Sequence, residues 1–549
     1  MKLIILKLER IISLLENTKI SFSLWIGTFL SIIFSRILIE NLLGGFSHRE
    51  IHFLFSEFSH TFLFFLLSYC VFLVLLSKTT KTNISATANV LLWGFLIILI
   101  PPIIDYFISH GRGLWSFYEF DSLEGLLRGF FTFFGDTPNM GITYGVRIEV
   151  ILSLFLFFVY VFIKTKDYLR ALLTTFIAYT FFFILGTFPS WIAFFVLGWE
   201  KGFMEVTSVD IAGMFLSPET SLSYTPGNII NSLNAKMSII YAYILFNIIP
   251  LFSFFFYPKE TKSLFLNIRV PQTIYHAGLV YVGAGIALLF SQNPINFLTF
   301  FNGLALVLLT LTAITAWLTS VVVNDIFDES IDAITNTHRP LIQKTISKNS
   351  YKKVGWTLFF LSLFLAGIAH PYAIALVFVY HALTWLYNAP PFRLKRIPFI
   401  ATFLGSIASF IIILLGYIAF DTTGIITDIP WEIIFLLLFS YTISLPIKDF
   451  KDIKGDKKNN IWTLPVLMGE KYARLFVATG IFFSFILSAL ILNAKNIIPW
   501  ALIFSTIAFF IVSNPNLSIL NKKITPQMLP GFIIGLVFLY TLILLFSIL

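Results

Sequence analysis

The sequence is poor in cysteine and in charged residues. It contains one cysteine, Cys70, in 549 residues, which excludes internal disulfides and thiolate metal sites. We interpret Cys70, which lies in the apolar run TFLFFLLSYCVFLVLL, as a small buried packing residue. Only 12% of the residues are charged and 58% are hydrophobic, whereas soluble proteins hold roughly 45–50% apolar residues. The composition therefore favours an integral membrane protein.

Apolar runs of about twenty residues recur along the whole chain. In lipid, one such run satisfies its own backbone hydrogen bonds only as a helix, because a barrel strand is about half as long. We therefore predict an all-α polytopic membrane protein. The first residues, MKLIILKLERIISLLENTK, interleave charged and apolar positions at helical spacing and lack the uncharged core of a signal peptide. They predict an amphipathic helix that lies on the membrane.

The polar segment YPKETKS, residues 257–263, divides the chain into two parts of different charge. Residues 1–264 hold 18 Lys+Arg against 17 Asp+Glu, and residues 265–549 hold 19 against 11. For the first part we predict a membrane module of about six or seven helices, including spans near 20–43, 58–77, 86–109, 146–164, 168–198 and 236–257. For the second part we predict a nine-helix bundle, with helices near 272–292, 297–322, 351–369, 371–388, 398–420, 430–447, 472–493, 497–513 and 527–548.

Basic residues are distributed unequally among the links of the nine-helix part. The links after the second, fourth, sixth and eighth helices contain seventeen Lys or Arg, whereas the other links contain only Lys495. Positive residues are enriched in cytoplasmic loops. We therefore expect these even-numbered links on the cytoplasmic side of the cell membrane and the C-terminus on its outer side.

The acids of the second part are concentrated in two short segments, VVVNDIFDESIDAITNTHRPL and IKDFKDIKGDKKNN. These segments contain Asp325, Asp328, Glu329 and Asp332, and then Asp449, Asp452 and Asp456. Both aspartate triplets have the spacing i, i+3, i+7, which on a helix places them within about 60° of one another. One stripe is predicted to end the second helix and the other the sixth, with Glu329 pointing elsewhere. Recurrence four helices apart predicts two related halves that face each other across a cavity.

Three carboxylates on one helical face repel each other, so a cation is expected between them. Carboxylate oxygens favour Mg²⁺, which keeps positions for water and substrate phosphate. Two such stripes would hold two ions around one diphosphate, with Arg339, Arg393 and Lys395 as nearby phosphate-binding cations. In the simpler alternative, the acids are solvated residues at headgroup level, balanced by neighbouring lysines such as Lys448, and the cations are ordinary residues of cytoplasmic loops.

These segments resemble the UbiA superfamily of intramembrane prenyltransferases. NDIFDESID matches the NDxxDxxxD signature of that family, and KDFKDIKGD is similar to its second aspartate motif. THRPL, YNAPPFRLKR and TLPVLMG also resemble family segments, so that the likeness spans roughly residues 265–549. The sequence departs from the family at Asn388, where Ser is common, and at Asn460, where Gly is frequent.

The resemblance implies roles for individual residues in binding Mg²⁺ and an isoprenyl diphosphate. The implied metal ligands and catalytic carboxylates are Asp325, Asp328 and Asp332 with Asp452 and Asp456, and Asp449 completes or flanks the second set. The implied diphosphate-binding residues are Asn324, Arg339, Arg393, Lys395 and Lys448. The allylic cation left after loss of diphosphate is expected to be shielded by aromatic side chains.

The leading functional hypothesis is an Mg²⁺-dependent transferase that moves a polyprenyl group onto a lipophilic, membrane-soluble acceptor, such as an aromatic quinone precursor. Two alternatives stay open: transfer of a phosphoribosyl unit to polyprenyl phosphate, and a transporter or ion channel, which would also use paired acids in the membrane. Expected partners are membrane lipids and these substrates, without nucleic acid. The first module is expected to act as a scaffold or to handle substrate. Its charges in or beside apolar runs are either functional or located at helix ends: Arg36, Glu40, Asp105, Arg147 and Glu149.

Overall fold

The computed structural model describes residues 2–43, 51–111, 113–114, 116, 118–135, 141–217, 229–291, 299–421, 426–458, 461–519 and 522–548. Asn460 lies outside these residues. Helices dominate this part of the chain, and the two-residue strands β1 (Ser518–Ile519) and β2 (Lys522–Lys523) form one short antiparallel pair. Thirteen of the described helices are long and apolar enough to cross a membrane. The prediction of an all-α, multi-pass membrane protein is therefore confirmed.

The described residues divide into two compact units, with the boundary between Leu245 and Phe246. The helices of the first part of the chain are α1 (Lys2–Glu16), α2 (Phe22–Leu43), α3 (Ile51–Thr80), α4 (Ile84–Gly94), α5 (Pro101–Ile108), α6 (Leu123–Phe131), α7 (Tyr144–Thr165), α8 (Tyr168–Gly186), α9 (Phe188–Lys201), α10 (Ser208–Leu216), α11 (Ile229–Phe256) and α12 (Pro258–Leu266). The boundary falls inside α11. Residues 1–264 and 265–549 as functional domains stay a prediction.

Two details of the first unit differ from the sequence prediction. The span expected near 168–198 consists of two helices, α8 and α9, because Pro189 cannot continue the backbone hydrogen bonds of α8. The amphipathic helix α1 also packs against α4 and α7 of its own unit. Glu16 at its end accepts hydrogen bonds from Lys164 Nζ at 2.9 Å and from the Tyr160 hydroxyl at 3.1 Å. These contacts attach α1 to the bundle.

Beyond Asn267, the described part of the chain contains the predicted nine long helices, together with three short α-helices inserted in the links. In chain order these helices are α13 (Val270–Phe290), α14 (Phe300–Phe327), α15 (Glu329–Thr335), α16 (Lys348–Ala369), α17 (Pro371–Asn388), α18 (Ile400–Phe420), α19 (Trp431–Ser444), α20 (Ile453–Lys458), α21 (Leu464–Met468), α22 (Glu470–Ile491), α23 (Ile498–Ser513) and α24 (Leu529–Ile548). The short helices are α15, α20 and α21.

Local sequence signals set several of these boundaries. The Thr299 side chain caps α14 by accepting a hydrogen bond from the Asn302 backbone, and Ser347 caps α16 in the same way. Proline at residue 371 begins α17, where its missing N–H is not needed. These signals set the residues at which α14, α16 and α17 begin.

The first and fifth long helices, α13 and α18, approach each other through two glycines. A Cβ atom on Gly283 would lie 1.8 Å from the Ile413 carbonyl oxygen, and one on Gly416 would lie 1.9 Å from the Val280 carbonyl oxygen. Only glycine permits this backbone contact, which is typical of membrane helix pairs. The contact joins helices four apart in chain order, the same interval that separates the two aspartate triplets.

Candidate active site

Each aspartate triplet crosses a break in the backbone helix. Asp328 separates α14 from α15 with φ −103° and ψ 13°, and Asp452 separates the 3-10 helix Leu445–Lys451 from α20 with φ −106° and ψ 5°. The prediction that each triplet occupies one face of a continuous helix is therefore corrected. Aspartate is a poor residue for a helix interior, and Pro446 removes a backbone donor from the second segment. The two motifs thus share both their spacing and the conformation of their middle residue.

Asp325, at the end of α14, is buried and surrounded by hydrogen-bond donors. Its carboxylate accepts hydrogen bonds from Arg269 at 2.5 Å, Arg339 at 2.9 Å, Asn267 at 2.8 Å and the Tyr351 hydroxyl at 2.8 Å. Both guanidinium contacts are ion pairs. Asp325 is therefore fixed between α13, α14 and α16 before any substrate is present.

Asp328 contacts the link that follows α17. Lys395 Nζ lies 2.5 Å from its carboxylate, and Arg393 donates a hydrogen bond to it at 2.7 Å. The Asn324 amide donates to the same carboxylate at 2.8 Å and to the Asn388 side chain at 2.9 Å. Burial opposes ionisation of Asp328, but the charges and hydrogen bonds of Lys395 and Arg393 outweigh burial and lower its pKa. Asn388, one departure from the family pattern, thus orients Asn324.

Asp332 is joined to Asp325 through Arg339, which forms ion pairs with both carboxylates. The Asn336 amide donates a further hydrogen bond to Asp332 at 3.1 Å. Burial, followed by the nearby charges of Asp325 and Asp328, raises the pKa of Asp332 to about 6, although Arg339 opposes this shift. Arg339 is the central cation of the first motif.

The second motif has far fewer cationic partners. The Asp456 carboxylate is buried and accepts a hydrogen bond from Thr463 at 3.4 Å. Burial, and then the charges of Asp449 and Asp452, raises the pKa of Asp456 to about 7. Lys451 Nζ lies 4.0 Å from Asp452, and the Asp449 carboxylate accepts no hydrogen bond from the part of the chain that the structure describes. Asp456 is therefore repelled by Asp449 and Asp452 and forms no ion pair within the described part of the chain.

The two motifs lie together at one end of the second unit. Helix α15 contacts α20, and the charge of Asp328 contributes to the raised pKa of Asp456. The Trp462 backbone N–H also lies 3.3 Å from the Arg396 carbonyl oxygen. The links after the second, fourth and sixth long helices therefore meet around both motifs.

The donor set fits Mg²⁺ in its chemistry. Within the described ranges, no three His, Cys, Asp or Glu side chains are placed to hold one ion by themselves. Mg²⁺ is commonly held by one or two carboxylates together with water and substrate phosphate. Because the carboxylates of the second motif raise the pKa of Asp456, a divalent cation beside them would relieve their repulsion. Asp449, Asp452 and Asp456 thus suit the ion better than Asp325 and Asp328, which are already paired.

Lys448 has a different position from the one expected of a diphosphate ligand. Its Nζ donates a hydrogen bond to the Tyr387 hydroxyl at 3.0 Å and lies 5.0 Å from the centre of that ring. Aromatic contacts continue from here into the bundle, where Tyr275 and Tyr441 rings lie 5.9 Å apart. Lys448 therefore links the charged end of the unit to its aromatic interior.

Sequence reasoning did not identify Arg269, Asn267 or Tyr351 as site residues. Arg269 directly precedes the first long helix of the second part, on the side where the basic links gather. This position is the sequence feature that could have identified Arg269. Arg269 and Arg393 both have positive φ, 56° and 44°. Non-glycine residues in this conformation are uncommon and often lie at functional sites. Both arginines donate to an aspartate of the first motif.

Known proteins are similar to the part of the chain that contains the two aspartate motifs. The model of the UbiA prenyltransferase family matches residues 279–523. Digeranylgeranylglyceryl phosphate synthase from Sulfolobus acidocaldarius is 27% identical over 252 residues, which cover 45% of this chain and 82% of the relative. Chlorophyll synthase from Arabidopsis thaliana is 30% identical over 165 residues, which cover 28% of this chain and 41% of the relative.

Solved structures also match part of the chain. A UbiA homolog from Archaeoglobus fulgidus bound to DMAPP and Mg²⁺ matches with 19% identity and a TM-score of 0.37, covering 51% of this chain and 98% of that chain. The family match begins at residue 279, so the first unit lies outside it. Residues 279–523, which contain both aspartate motifs, are thus the part of the chain that matches the UbiA prenyltransferase family.

Proposed function

We propose that the chain is an Mg²⁺-dependent intramembrane prenyltransferase, which moves a polyprenyl group from an isoprenyl diphosphate to a lipophilic acceptor. The observation that carries this proposal is the meeting of two unlike aspartate motifs. One motif is surrounded by Arg269, Arg339, Arg393 and Lys395, and the other has carboxylates with few cationic partners. Such a site offers cations to a diphosphate and carboxylates to its counter-ion.

Asp452 and Asp456, with Asp449 beside them, are the proposed ligands of Mg²⁺, and the aspartates of the first motif complete the set. When bound, Mg²⁺ supplies positive charge that stabilises the departing diphosphate. The cations of the first motif lie ready to share their hydrogen bonds between aspartate and phosphate oxygens. Arg339 is suited to this because a guanidinium binds two oxygens at once.

Aromatic residues near the charged end would shield the allylic cation. Tyr275 lies between one and two turns after Arg269 in α13, and Tyr441 in α19 contacts its ring. Tyr387 contacts Lys448. These side chains exclude water and offer ring faces that attract a cation. The prenyl chain would then extend into the apolar interior while its diphosphate stays at the bundle end.

We also propose an acceptor for the prenyl group and the side of the membrane on which the active site lies. An aromatic quinone precursor is our first choice of acceptor. The related enzymes are named as synthases of digeranylgeranylglyceryl phosphate and of chlorophyll, so prenylated glyceryl phosphates belong among the acceptors to be tested. We place the site on the cytoplasmic side of the cell membrane, because the basic links gather there.

The proposal is tested with the full-length protein in lipid nanodiscs and labelled geranylgeranyl diphosphate. Transfer of label to an acceptor is expected with Mg²⁺ and not with a chelator. Parallel reactions contain labelled phosphoribosyl diphosphate and polyprenyl phosphate, and label incorporated only from the sugar would overturn the proposal. Ion flux through proteoliposomes without any transfer would instead support a transporter or channel. Glu329→Gln is the matched control, because Glu329 is half-exposed and pairs with Lys348 at 2.6 Å.

A further inference from the structure

The first unit contains a cavity of about 530 Å³ that no part of the proposed transfer reaction uses. Side chains from α1, α2, α3, α4 and α7 line it. Along α7 the lining extends from Val146 to Tyr160, a distance of roughly 21 Å at the rise of an α-helix. The cavity is thus long enough for an alkyl or isoprenoid chain and lies within a single unit.

One end of the cavity is polar. The lining there includes Arg36 and Glu40 near the end of α2, Glu57 and His60 near the beginning of α3, and Glu149 near the beginning of α7. His60 Nε2 lies 2.6 Å from the Tyr118 hydroxyl, which in turn contacts the Tyr241 hydroxyl at 2.6 Å. Ionisable groups inside a membrane domain are costly, and they usually serve a function.

The other end of the cavity is apolar and closed by α1. Leu8, Ile12 and Leu15 of α1 face Leu76 and Tyr160 across it. The ion pair between Glu16 and Lys164, at 2.9 Å, holds the end of α1 in place. An occupant of this cavity would therefore have an apolar body towards α1 and a polar head towards Glu149.

The charges at the polar end favour a head that is not anionic. The Arg36 guanidinium is engaged by Glu40 at 3.2 Å and by the Ile98 carbonyl oxygen at 2.6 Å. Glu57 accepts a hydrogen bond from Asn41 at 3.1 Å. The Glu149 carboxylate lines the cavity and receives no hydrogen bond from the described part of the chain. Three carboxylates therefore lie near one arginine that is already paired, so acidic side chains outnumber the basic one at this end.

We propose that this cavity binds an amphiphile with a long apolar chain and a hydrogen-bond-donating, non-anionic head, an amine or a hydroxyl, which contacts Glu149. The site is chemically opposite to the cation-rich aspartate site of the second unit, which suits a diphosphate. The first unit would thus recognise a lipid or lipid-like molecule of its own. The proposal does not depend on the transfer reaction.

Photocrosslinking of the full-length protein in nanodiscs tests the site. Three probes share a dodecyl chain with a diazirine and differ only in the head: amine, hydroxyl or carboxylate. We expect the amine and hydroxyl probes to label residues of the cavity lining, with labelling displaced by the matching dodecyl compound, and the carboxylate probe to label them about tenfold less. Labelled residues are located by mass spectrometry of proteolytic peptides.

Two variants and one control sharpen the result. Glu149→Gln, which keeps the shape of the side chain, is expected to lower labelling by the amine probe about tenfold, the effect of losing a charged hydrogen bond. Ser153→Phe, which fills part of the cavity, should reduce labelling by the amine and hydroxyl probes. Glu200→Gln, on an exposed residue of α9, should change neither. Equal labelling by all three heads, labelling confined to residues outside the cavity, or no effect of Glu149→Gln would overturn the proposal.

Discussion

The two aspartate motifs of the second unit have the same spacing and the same helix break, yet their surroundings differ. In the first motif, Asp325 and Asp328 each contact two cationic side chains. In the second motif, the pKa of Asp456 is raised to about 7 by burial and then by its own neighbouring aspartates. One motif is thus neutralised by the protein, and the other lacks an equivalent set of cations.

This difference predicts which motif contributes to the stability of the fold and which contributes to the transfer reaction. A buried carboxylate with paired guanidinium groups contributes to a fixed arrangement, and loss of one partner leaves an uncompensated charge. A cluster of repelling carboxylates raises the free energy of the native state until a cation binds. We therefore expect substitutions in the first motif to affect folding and those in the second motif to affect transfer.

The largest effect is expected for Asp456→Asn. Removing this charge should lower Mg²⁺-dependent prenyl transfer by about 100-fold or more, as for the loss of a group that binds or orients a metal. The melting temperature of the metal-free variant should be unchanged or higher, because repulsion with Asp449 and Asp452 is relieved. Labelled-donor assays and thermal unfolding in detergent measure both. Transfer within twofold of the parent protein, with Glu329→Gln as the reference, would contradict the assignment.

Asp325→Asn should have the opposite effect on stability to that of Asp456→Asn. The substitution leaves Arg269 and Arg339 with a neutral partner, and breaking a buried ion pair costs roughly 3–5 kcal/mol. We expect a lower free energy of unfolding, measured by denaturant titration in mixed micelles. The double variant Asp325→Asn with Arg269→Gln should lose less than the sum of the two single variants. Additive losses would show that the Arg269 contact does not contribute.

A smaller effect is expected for Arg339→Lys. The Arg339 guanidinium forms ion pairs with both Asp325 and Asp332. The ammonium group of a lysine lacks the planar set of donors that allows this. The KM for the isoprenyl diphosphate should rise about tenfold, a loss typical of one charged hydrogen bond. Arg396→Lys, on an exposed residue of the neighbouring link, is the control. An unchanged KM would remove Arg339 from the donor site.

Much of this arrangement was visible in the sequence. The nine long helices follow from apolar runs and from caps and prolines at their ends, and the two triplets follow from their spacing. The grouping of Arg339, Arg393 and Lys395 near the first triplet was indicated by the asymmetry of basic links. These features depend on local patterns, which a single sequence contains.

Other features depend on contacts between distant segments. Arg269 and Tyr351 reach Asp325 from two other helices, and no spacing rule connects them. The unequal neutralisation of two similar motifs has the same origin, because it is set by which links fold over each one. The cavity of the first unit was not predicted either, since helices that line a cavity and helices that face lipid have the same apolar composition.

The smallest effect is a dependence of stability on pH in the metal-free protein. Burial, and then neighbouring aspartates, raise the pKa of Asp332 to about 6 and the pKa of Asp456 to about 7, so the native state keeps protons that the unfolded chain releases. Their contribution to stability is therefore fully present below about pH 4, the ordinary range of an aspartate, and is lost progressively as pH rises to about 7. With a chelator, the melting temperature should fall across this window by a few degrees.

Mg²⁺ should remove this fall and stabilise the protein more at pH 8 than at pH 5, because the cation binds the ionised carboxylates. Asp456→Asn should flatten the profile, whereas Glu329→Gln should leave it unchanged. A Mg²⁺ effect of equal size at both pH values would mean that the ion does not compete with protons at the second motif. The contrast between the two motifs would then not reflect a difference in cation binding.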